Sequence, residues 1–201
     1  MKNIKVTGNA SANTIQYNIL NAVGDNKIDF WRNSSGNVIV FGENFYCNQL
    51  KIVIKGNNNK LIFGEGVKFT GHILIVGSNR NVEIGRNTTA QGVYILSRDE
   101  DVLIGEECML SREIEIRSTD VHKIYDLTSG IQLNSARKVI IGDHVWVAAR
   151  AMISKGAIIP NGCIIGAASF VNKEYTIPNS IIAGVPARIV KKIYVGKDKI
   201  L

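Results

Sequence analysis

A six-residue repeat in the C-terminal part of the chain constrains the fold more than any other feature. An aliphatic residue returns every six positions, and a residue that is usually small stands four positions after each one. An α-helix would need apolar residues at spacings of three and four, whereas short β-branched runs between glycine and asparagine turns are typical of strands. The aliphatic series is Ile141, Val147, Ile153, Ile159, Ile165, Val171 and Ile177, and the second series is Val145, Ala151, Ala157, Cys163, Ser169, Tyr175 and Ile181.

A longer repeat covers the first part of the chain. Five segments each consist of a polar turn, a short β-rich run and a closing glycine. The closing glycines are 22, 21, 20 and then 37 residues apart, so the last interval predicts an inserted loop, which we place around residues 115–135. The segments are SSGNVIVFG (34–42), GNNNKLIFG (56–64), GSNRNVEIG (77–85), SRDEDVLIG (97–105) and NSARKVIIG (134–142).

Both repeats predict a coil with three flat faces. Three six-residue faces make a coil of about 18 residues, and stacked coils bury a continuous core. We therefore predict one all-β domain over residues 1–201, a parallel β-helix with both repeat series pointing inward. Residues 1–30 form a cap or an irregular first coil, residues 31–182 form the coils with the loop, and residues 183–201 form a tail. The repeats do not fix the handedness.

Composition narrows the function classes. The net charge of +7 suits a soluble surface or an anionic partner or cofactor. Nucleic acid is not expected, because the lysines and arginines are scattered without an aromatic-rich binding motif. Three cysteines without a CxxC pair favour neither a zinc site nor a disulfide framework. The start of the chain has no apolar signal region and no window holds 18 apolar residues, so we expect a cytoplasmic protein without a membrane span.

Three motifs follow one another in the C-terminal part: STDVHKIYD (118–126), the hexapeptides of residues 140–173, and IPNSIIAGVPARIVKK (177–192). In this order they resemble the hexapeptide-repeat acetyltransferases, and within them the bacterial capsule polysaccharide and sialic acid O-acetyltransferases. The resemblance implies a left-handed coil, acetyl-CoA as co-substrate along the wall of the helix, a carbohydrate acceptor, and a homotrimer with active sites between subunits.

His122 lies inside the predicted insertion. Acetyl transfer to a hydroxyl needs a base that takes the proton as the oxygen attacks the thioester, and histidine titrates near neutral pH. On these grounds alone His122 would be interpreted as an exposed loop histidine, but the resemblance of the motif around it implies that His122 is catalytic. Asp120, Asp126 or a backbone carbonyl could fix its tautomer. No nucleophilic serine or cysteine motif is present, and Cys108 and Cys163 fall at inward positions, so we expect direct transfer.

Trp146 is expected at an outward position beside the site. It could pack against the insertion, or it could line the channel for pantetheine or acceptor, and the resemblance favours a catalytic and substrate-binding role. Arg112, Arg117 and Lys123 flank His122 in the sequence, with Asp120 beside them. These arginines could bind an acceptor carboxylate through paired hydrogen bonds, or they could simply keep the loop soluble.

The expected contacts with the co-substrate come from the resemblance. A backbone N–H around Ala148 or Ala149 is expected to stabilise the oxyanion, and the backbone of Ala167 and Ala168 is expected to run beside pantetheine or adenine. Two basic residues are expected to bind the phosphates of CoA. They are Lys173, in FVNK, and Arg188, in AGVPAR.

The other histidines are not expected to act in the site. His144 should be exposed at a turn, and His72 should lie at a turn or on a face. The three histidines are 50 and 22 residues apart, unlike the H-x4-H pair of the zinc-binding γ-class carbonic anhydrases, so we expect no metal. Two alternatives stay open: N-acetylation of an amino sugar, nucleotide-linked sugar or other small acceptor, and a scaffold without activity.

Overall fold

A computed structural model describes residues 3–18 and 20–193 of the chain. The chain winds into about eight coils of a left-handed parallel β-helix, which confirms the predicted fold class. Each coil has three faces, numbered here in the order in which the chain visits them. The coils stack so that each strand pairs in parallel with the strand one coil further on.

The strands are grouped by face. Face 1 holds β1 (Ile4–Gly8), β4 (Asn26–Phe30), β13 (Ile114–Arg117), β16 (Met152–Ile153) and β19 (Phe170–Val171). Face 2 holds β2 (Thr14–Gln16), β5 (Val38–Phe41), β7 (Lys60–Phe63), β9 (Asn81–Ile84), β11 (Val102–Ile104), β14 (Val139–Ile141) and β17 (Ile158–Ile159). Face 3 holds β3 (Leu20–Val23), β12 (Met109–Leu110), β15 (Trp146–Val147), β18 (Ile164–Ile165) and β20 (Ser180–Gly184). Three long strands bend from face 3 onto face 1: β6 (Phe45–Lys55), β8 (Lys68–Val76) and β10 (Thr89–Arg98). The last strand, β21 (Ala187–Lys192), pairs antiparallel with β20.

The interior is filled by the residues that the repeats place inward. Val147, Ile153 and Ile165 are fully buried, and Ile153 pairs with Val171 exactly one coil of 18 residues further on. Stacking of this kind removes apolar surface from water at every coil, which stabilises the column by about 25 cal/mol per Å² buried. In the wider N-terminal coils the same space is filled by a phenylalanine cluster of Phe41, Phe45, Phe63 and Phe69.

The last coil departs from the predicted register. Ile177 and Ile181 are only partly buried, and Ile182 takes the inward position by pairing with Ile165, 17 residues earlier. The prediction was therefore wrong by one residue here. At the corner between faces 1 and 2 of the same coil, Tyr175 takes the place that the small Ala157 has one coil earlier, and its hydroxyl donates to the carbonyl oxygen of Ala187 (2.7 Å).

The asparagine-rich turns of the first coils form a ladder along one edge. The amide Nδ2 of Asn37 donates to Oδ1 of Asn13 (2.7 Å), and Nδ2 of Asn59 donates to Oδ1 of Asn37 (2.9 Å). The backbone N–H of Arg80 then donates to Oδ1 of Asn59 (2.8 Å). These bonds satisfy buried amides at each turn, which explains the GNNN-type repeats. Residues 4–30, expected as a cap or an irregular coil, contribute β1 to β4 and the 3-10 turn Ala10–Ala12.

The insertion begins and ends close to the expected positions. Strand β13 runs to Arg117 and β14 starts at Val139, so the loop comprises residues 118–138, with a bridge between Tyr125 and Gln132. The described part of the chain contains no helix with the length and apolar character needed to cross a membrane. The predicted tail opens with the β20–β21 hairpin, and its residues 194–201 lie outside the described residues.

Candidate active site

The insertion loop that carries His122 is held by a hydrogen-bonded clamp around Asn134. The Asn134 amide Nδ2 donates to the carbonyl oxygen of His122 (2.8 Å) and to Oδ2 of Asp120 (3.1 Å). Its Oδ1 accepts from the backbone N–H of Ile124 (2.7 Å). A single amide therefore fixes the chain on both sides of His122. The sequence gives no sign of this role, because Asn134 stands in the polar turn that opens the fifth long repeat, where any turn-forming residue would fit the pattern.

An ion pair ties the loop to the wall of the β-helix. The Lys155 ammonium lies 2.5 Å from Oδ2 of Asp120, and the Lys155 side chain is largely covered. The hydrogen bond from Lys155 lowers the pKa of the Asp120 carboxyl, burial opposes it, and the amide of Asn134 lowers it further. Lys155 follows β16, at the edge shared by faces 1 and 2, where the loop leaves the coil.

The lowered pKa of Asp120 fixes the pH range in which this anchor acts. A carboxyl whose folded-state pKa is depressed stabilises the fold above its unfolded pKa, and the contribution is lost as pH falls through the folded value. We therefore expect the loop to be anchored throughout the neutral range.

Asp120→Asn should speed hydrogen exchange of residues 121–134 at pH 7, because it removes the charge that Lys155 binds. Glu174→Gln, which removes a carboxylate near the same edge, is the control, and equal exchange in both variants would contradict the anchor.

The ring of His122 makes no hydrogen bond with the candidate orienting groups in the described residues. The side chain is exposed, and no hydrogen bond or ion pair in residues 3–18 and 20–193 involves its ring. The Asp120 carboxylate is engaged by Lys155 and Asn134. Oδ1 of Asp126 accepts from the backbone N–H and the hydroxyl of Ser129. Neither predicted carboxylate orients the imidazole within this chain.

Trp146 lies on the opposite side of the prism. Its side chain is 43% exposed on face 3, as the sequence predicts, and its Nε1 donates weakly to the Ser111 hydroxyl (3.4 Å). The insertion loop leaves at the edge between faces 1 and 2, which lies opposite face 3. A single chain therefore does not bring His122 and Trp146 together.

The four alanines line the edge between faces 3 and 1, next to Trp146. Ala148 and Ala149 follow β15, and Ala167 and Ala168 follow β18 one coil further on, where the Ala168 N–H donates to the Ala149 carbonyl (3.0 Å). The Ala148 N–H donates to the carbonyl of Ile165 (2.9 Å), so of the two candidate oxyanion donors Ala148 is already engaged in the backbone ladder. The Ala149 N–H has no partner in the described residues.

The two basic residues expected at the phosphates lie beside Tyr175. The Lys173 ammonium is 5.5 Å from the centroid of the Tyr175 ring, and Arg188 is near enough to lower the Tyr175 pKa, although burial has the larger, raising effect. Both side chains are exposed. Lys173 lies on the edge of His122 rather than on that of the alanines, so the predicted co-substrate residues do not form one cluster within a single chain.

The arginines are separated by the length of a strand. Arg117 ends β13 where the loop begins, but Arg112 precedes β13 at the other edge of face 1, about 16 Å away at the rise of an extended strand. Arg112 pairs with Glu113 (3.9 Å), and its carbonyl accepts from Arg150. Within one chain, therefore, only Arg117 lies beside the loop that carries His122, and Arg112 lies at the edge next to Trp146.

The other two histidines, His144 and His72, lie outside the insertion loop. His144 is exposed, as expected, and its Nδ1 lies 3.3 Å from a carboxylate oxygen of Glu107. His72 is half-buried on face 1, and burial, followed by the charge of Lys51, lowers its pKa. The described residues contain no group of three or more histidine, cysteine, aspartate or glutamate side chains placed to hold a metal.

A triangular parallel β-helix with a histidine on an anchored insertion loop is the architecture of the left-handed β-helix acyltransferases. No protein-family model matches the chain. The structure is similar to the crystal structure of the polysialic acid O-acetyltransferase OatWY, with 31% identity, a TM-score of 0.85 and coverage of 98% of this chain and 92% of that one. It is similarly close to the polysialic acid-specific acetyltransferase NeuO, with 29% identity, a TM-score of 0.85 and coverage of 99% and 92%.

A sequence relative gives the same result over a shorter range. The chain is 34% identical over 123 residues to a polysialic acid O-acetyltransferase of Neisseria meningitidis, covering 61% of this chain and 57% of the relative. The chain thus spans little more than half the length of this curated relative. Because it is similar to OatWY over almost its whole length, the chain belongs to the hexapeptide-repeat acetyltransferase family, in the group of the polysialic acid O-acetyltransferases.

Proposed function

We propose that this protein transfers the acetyl group of acetyl-CoA to a hydroxyl of a sialic acid polymer. The observation that carries the proposal is the likeness to OatWY over almost the whole of both chains. The exposed, anchored His122 supplies the base that such a reaction requires.

His122 acts as general base and then as general acid. Its neutral imidazole takes the proton of the acceptor hydroxyl as the oxygen attacks the thioester carbonyl, and the Ala149 N–H donates to the oxyanion that forms. Collapse of this intermediate breaks the carbon–sulfur bond, and the imidazolium returns the proton to the CoA sulfur. The acetyl ester and the free thiol are the products.

Direct transfer is supported by the state of the cysteines. Cys108 and Cys163 are buried in the coil, and burial raises the pKa of the Cys108 thiol to about 11. The Cys108 thiol also donates a hydrogen bond to the carbonyl oxygen of Gly142 (3.1 Å). A thiol that stays protonated at neutral pH is a poor nucleophile, so an acyl-enzyme on either residue is not favoured.

The assembly we propose is a homotrimer with active sites between subunits. The two halves of the site lie on opposite sides of one chain, with His122 on one edge and Trp146 on the opposite face. The insertion loop also presents apolar side chains to solvent, including a fully exposed Leu127 and two residues that are 65% exposed, Ile131 and Leu133. Docking the loop on a neighbouring copy would cover this surface and place His122 beside the neighbour's Trp146.

Lys173 and Arg188 are proposed to bind the phosphates of acetyl-CoA. Lys173→Ala should raise the Kd for acetyl-CoA about fivefold at low ionic strength, because one charge contact with a phosphate is lost, and less at high salt. Isothermal titration at two salt concentrations measures this effect. Lys5→Ala, which removes the same charge at the other end of the helix axis, should leave the Kd unchanged. An unaltered Kd for Lys173→Ala at low salt would refute the contact.

The activity is tested by following release of the CoA thiol from acetyl-CoA with a panel of acceptors. Release that depends on a sialic acid polymer supports the proposal, and release only with amino sugars would instead assign N-acetylation. A scaffold would show no release and no rise in melting temperature with CoA, because only a protein that binds the ligand is stabilised by it. The cytoplasm, where acetyl-CoA is made, is the compartment proposed.

A further inference from the structure

A groove runs along the outer surface of face 1, from the insertion loop towards the N-terminal coils. It encloses about 570 Å³ and extends from Val121, the neighbour of His122, to Trp31. Its floor is formed by residues at paired positions on neighbouring parallel strands: Leu74 pairs with Leu96, and Leu96 pairs with Arg117. None of the residues proposed above to bind CoA lines it.

The far end of the groove is formed by an exposed tryptophan. Trp31 is 53% exposed, although its backbone N–H is fixed by a hydrogen bond to the Ile54 carbonyl (3.0 Å). The Lys55 ammonium lies 4.0 Å from the ring centroid, which holds the ring in place through a cation–π contact. A large, oriented aromatic surface left open to water is suited to bind the apolar face of a sugar ring.

Basic side chains line the same groove. Lys55, Arg98 and Arg117 all contribute to its walls. Arg98 pairs with Asp99 (3.6 Å), and Arg117 pairs with Glu115 but leaves its buried Nε–H without a partner in the described residues. Lys55 makes no ion pair in the described part of the chain. The groove therefore combines unneutralised positive charge with an unused guanidinium donor.

The groove is long enough for several sugar residues. Face 1 runs from β4 through β6, β8 and β10 to β13, which is four strand spacings or about 19 Å. A site for one monosaccharide would not need this length.

We propose that this groove is an acceptor subsite that binds the anionic polysaccharide several residues away from the sugar that His122 acetylates. This inference rests on the proposed function and adds the residues that select a polymer. Carboxylates along the polymer meet Lys55, Arg98 and Arg117, and a sugar ring packs on Trp31. A second copy of the chain is better suited by face 2. Its outward row runs through Val40, Ile62, Glu83, Leu103 and Ile140, and all of these residues except Glu83 are apolar.

The test measures binding without acetyl-CoA. The chain has two tryptophans, so in the variant Trp146→Phe the emission comes from Trp31 alone. Titration with a sialic acid polymer should change this emission, and Lys55→Ala in the same background should weaken the affinity about tenfold. Lys60→Ala, which removes an exposed lysine of face 2, should not weaken it, and free sialic acid should bind far more weakly than the polymer.

Kinetics separate the subsite from the catalytic centre. Lys55→Ala in the otherwise unaltered chain should raise KM for the polymer about tenfold, with kcat and the KM for acetyl-CoA unchanged. Equal polymer affinity in Lys55→Ala and Lys60→Ala, equal affinity for monomer and polymer, or loss of the oligomer in Trp31→Ala would overturn the subsite. Polymer binding at Trp31 without acetyl transfer would uphold the groove and refute the proposed function, whereas acetyl transfer without any Trp31 response would refute the groove alone.

Discussion

His122→Ala is expected to lower the turnover number for acetyl transfer about 10²–10⁴-fold, the range lost when a general base is removed. The melting temperature and the Kd for acetyl-CoA should hardly change, because the ring is exposed and makes no hydrogen bond or ion pair with the rest of the described chain. Steady-state release of CoA thiol, together with calorimetry, measures both effects.

The matched control for this prediction is His144→Ala. His144 is also exposed, but it faces Glu107 at a turn away from the insertion loop. The control should keep the turnover number of the unaltered protein. Turnover that stays normal in His122→Ala, or falls equally in both variants, would remove His122 from the mechanism.

Leu127→Asp is expected to separate the subunits and thereby abolish activity. The Leu127 side chain is fully exposed at the tip of the loop, so a charge there costs the single chain nothing but opposes burial against a neighbour. Sedimentation velocity should show a trimer for the unaltered protein and a monomer for the variant, with thiol release at background level.

Val23→Asp is the control for assembly. Val23 is a half-exposed apolar residue of β3, near the N-terminal end and distant from the insertion loop, so the same charge should leave the trimer intact. An unaltered protein that is fully active as a monomer would contradict the proposal of sites between subunits.

The sequence predicts the inward residues well wherever the coil length stays constant. Val147, Ile153, Ile159, Ile165 and Val171 are buried as expected, because a fixed six-residue period keeps every coil in phase with the one before. The predicted register fails at Ile182, because the last coil is one residue shorter than the others. Periodicity alone cannot show where a coil shortens.

The site is less predictable than the coils. The motif locates His122 and the exposed Trp146, but nothing in the residue types of the loop marks Asn134 and Lys155 as the groups that hold it. Neighbours in sequence also separate in an extended strand, so Arg112 lies far from the loop that Arg117 begins. Sequence also could not choose between Ala148 and Ala149 as the donor, because only the structure shows that the ladder of backbone hydrogen bonds uses the Ala148 N–H.

The most direct test of the central claim is the mass of the acceptor after reaction. A sialic acid polymer incubated with acetyl-CoA and the protein should gain acetyl groups, and mild alkali should remove them because they are esters. The same incubation with His122→Ala should leave the mass unchanged. A polymer that gains no alkali-labile acetyl group, with the protein folded and acetyl-CoA bound, would contradict the assignment.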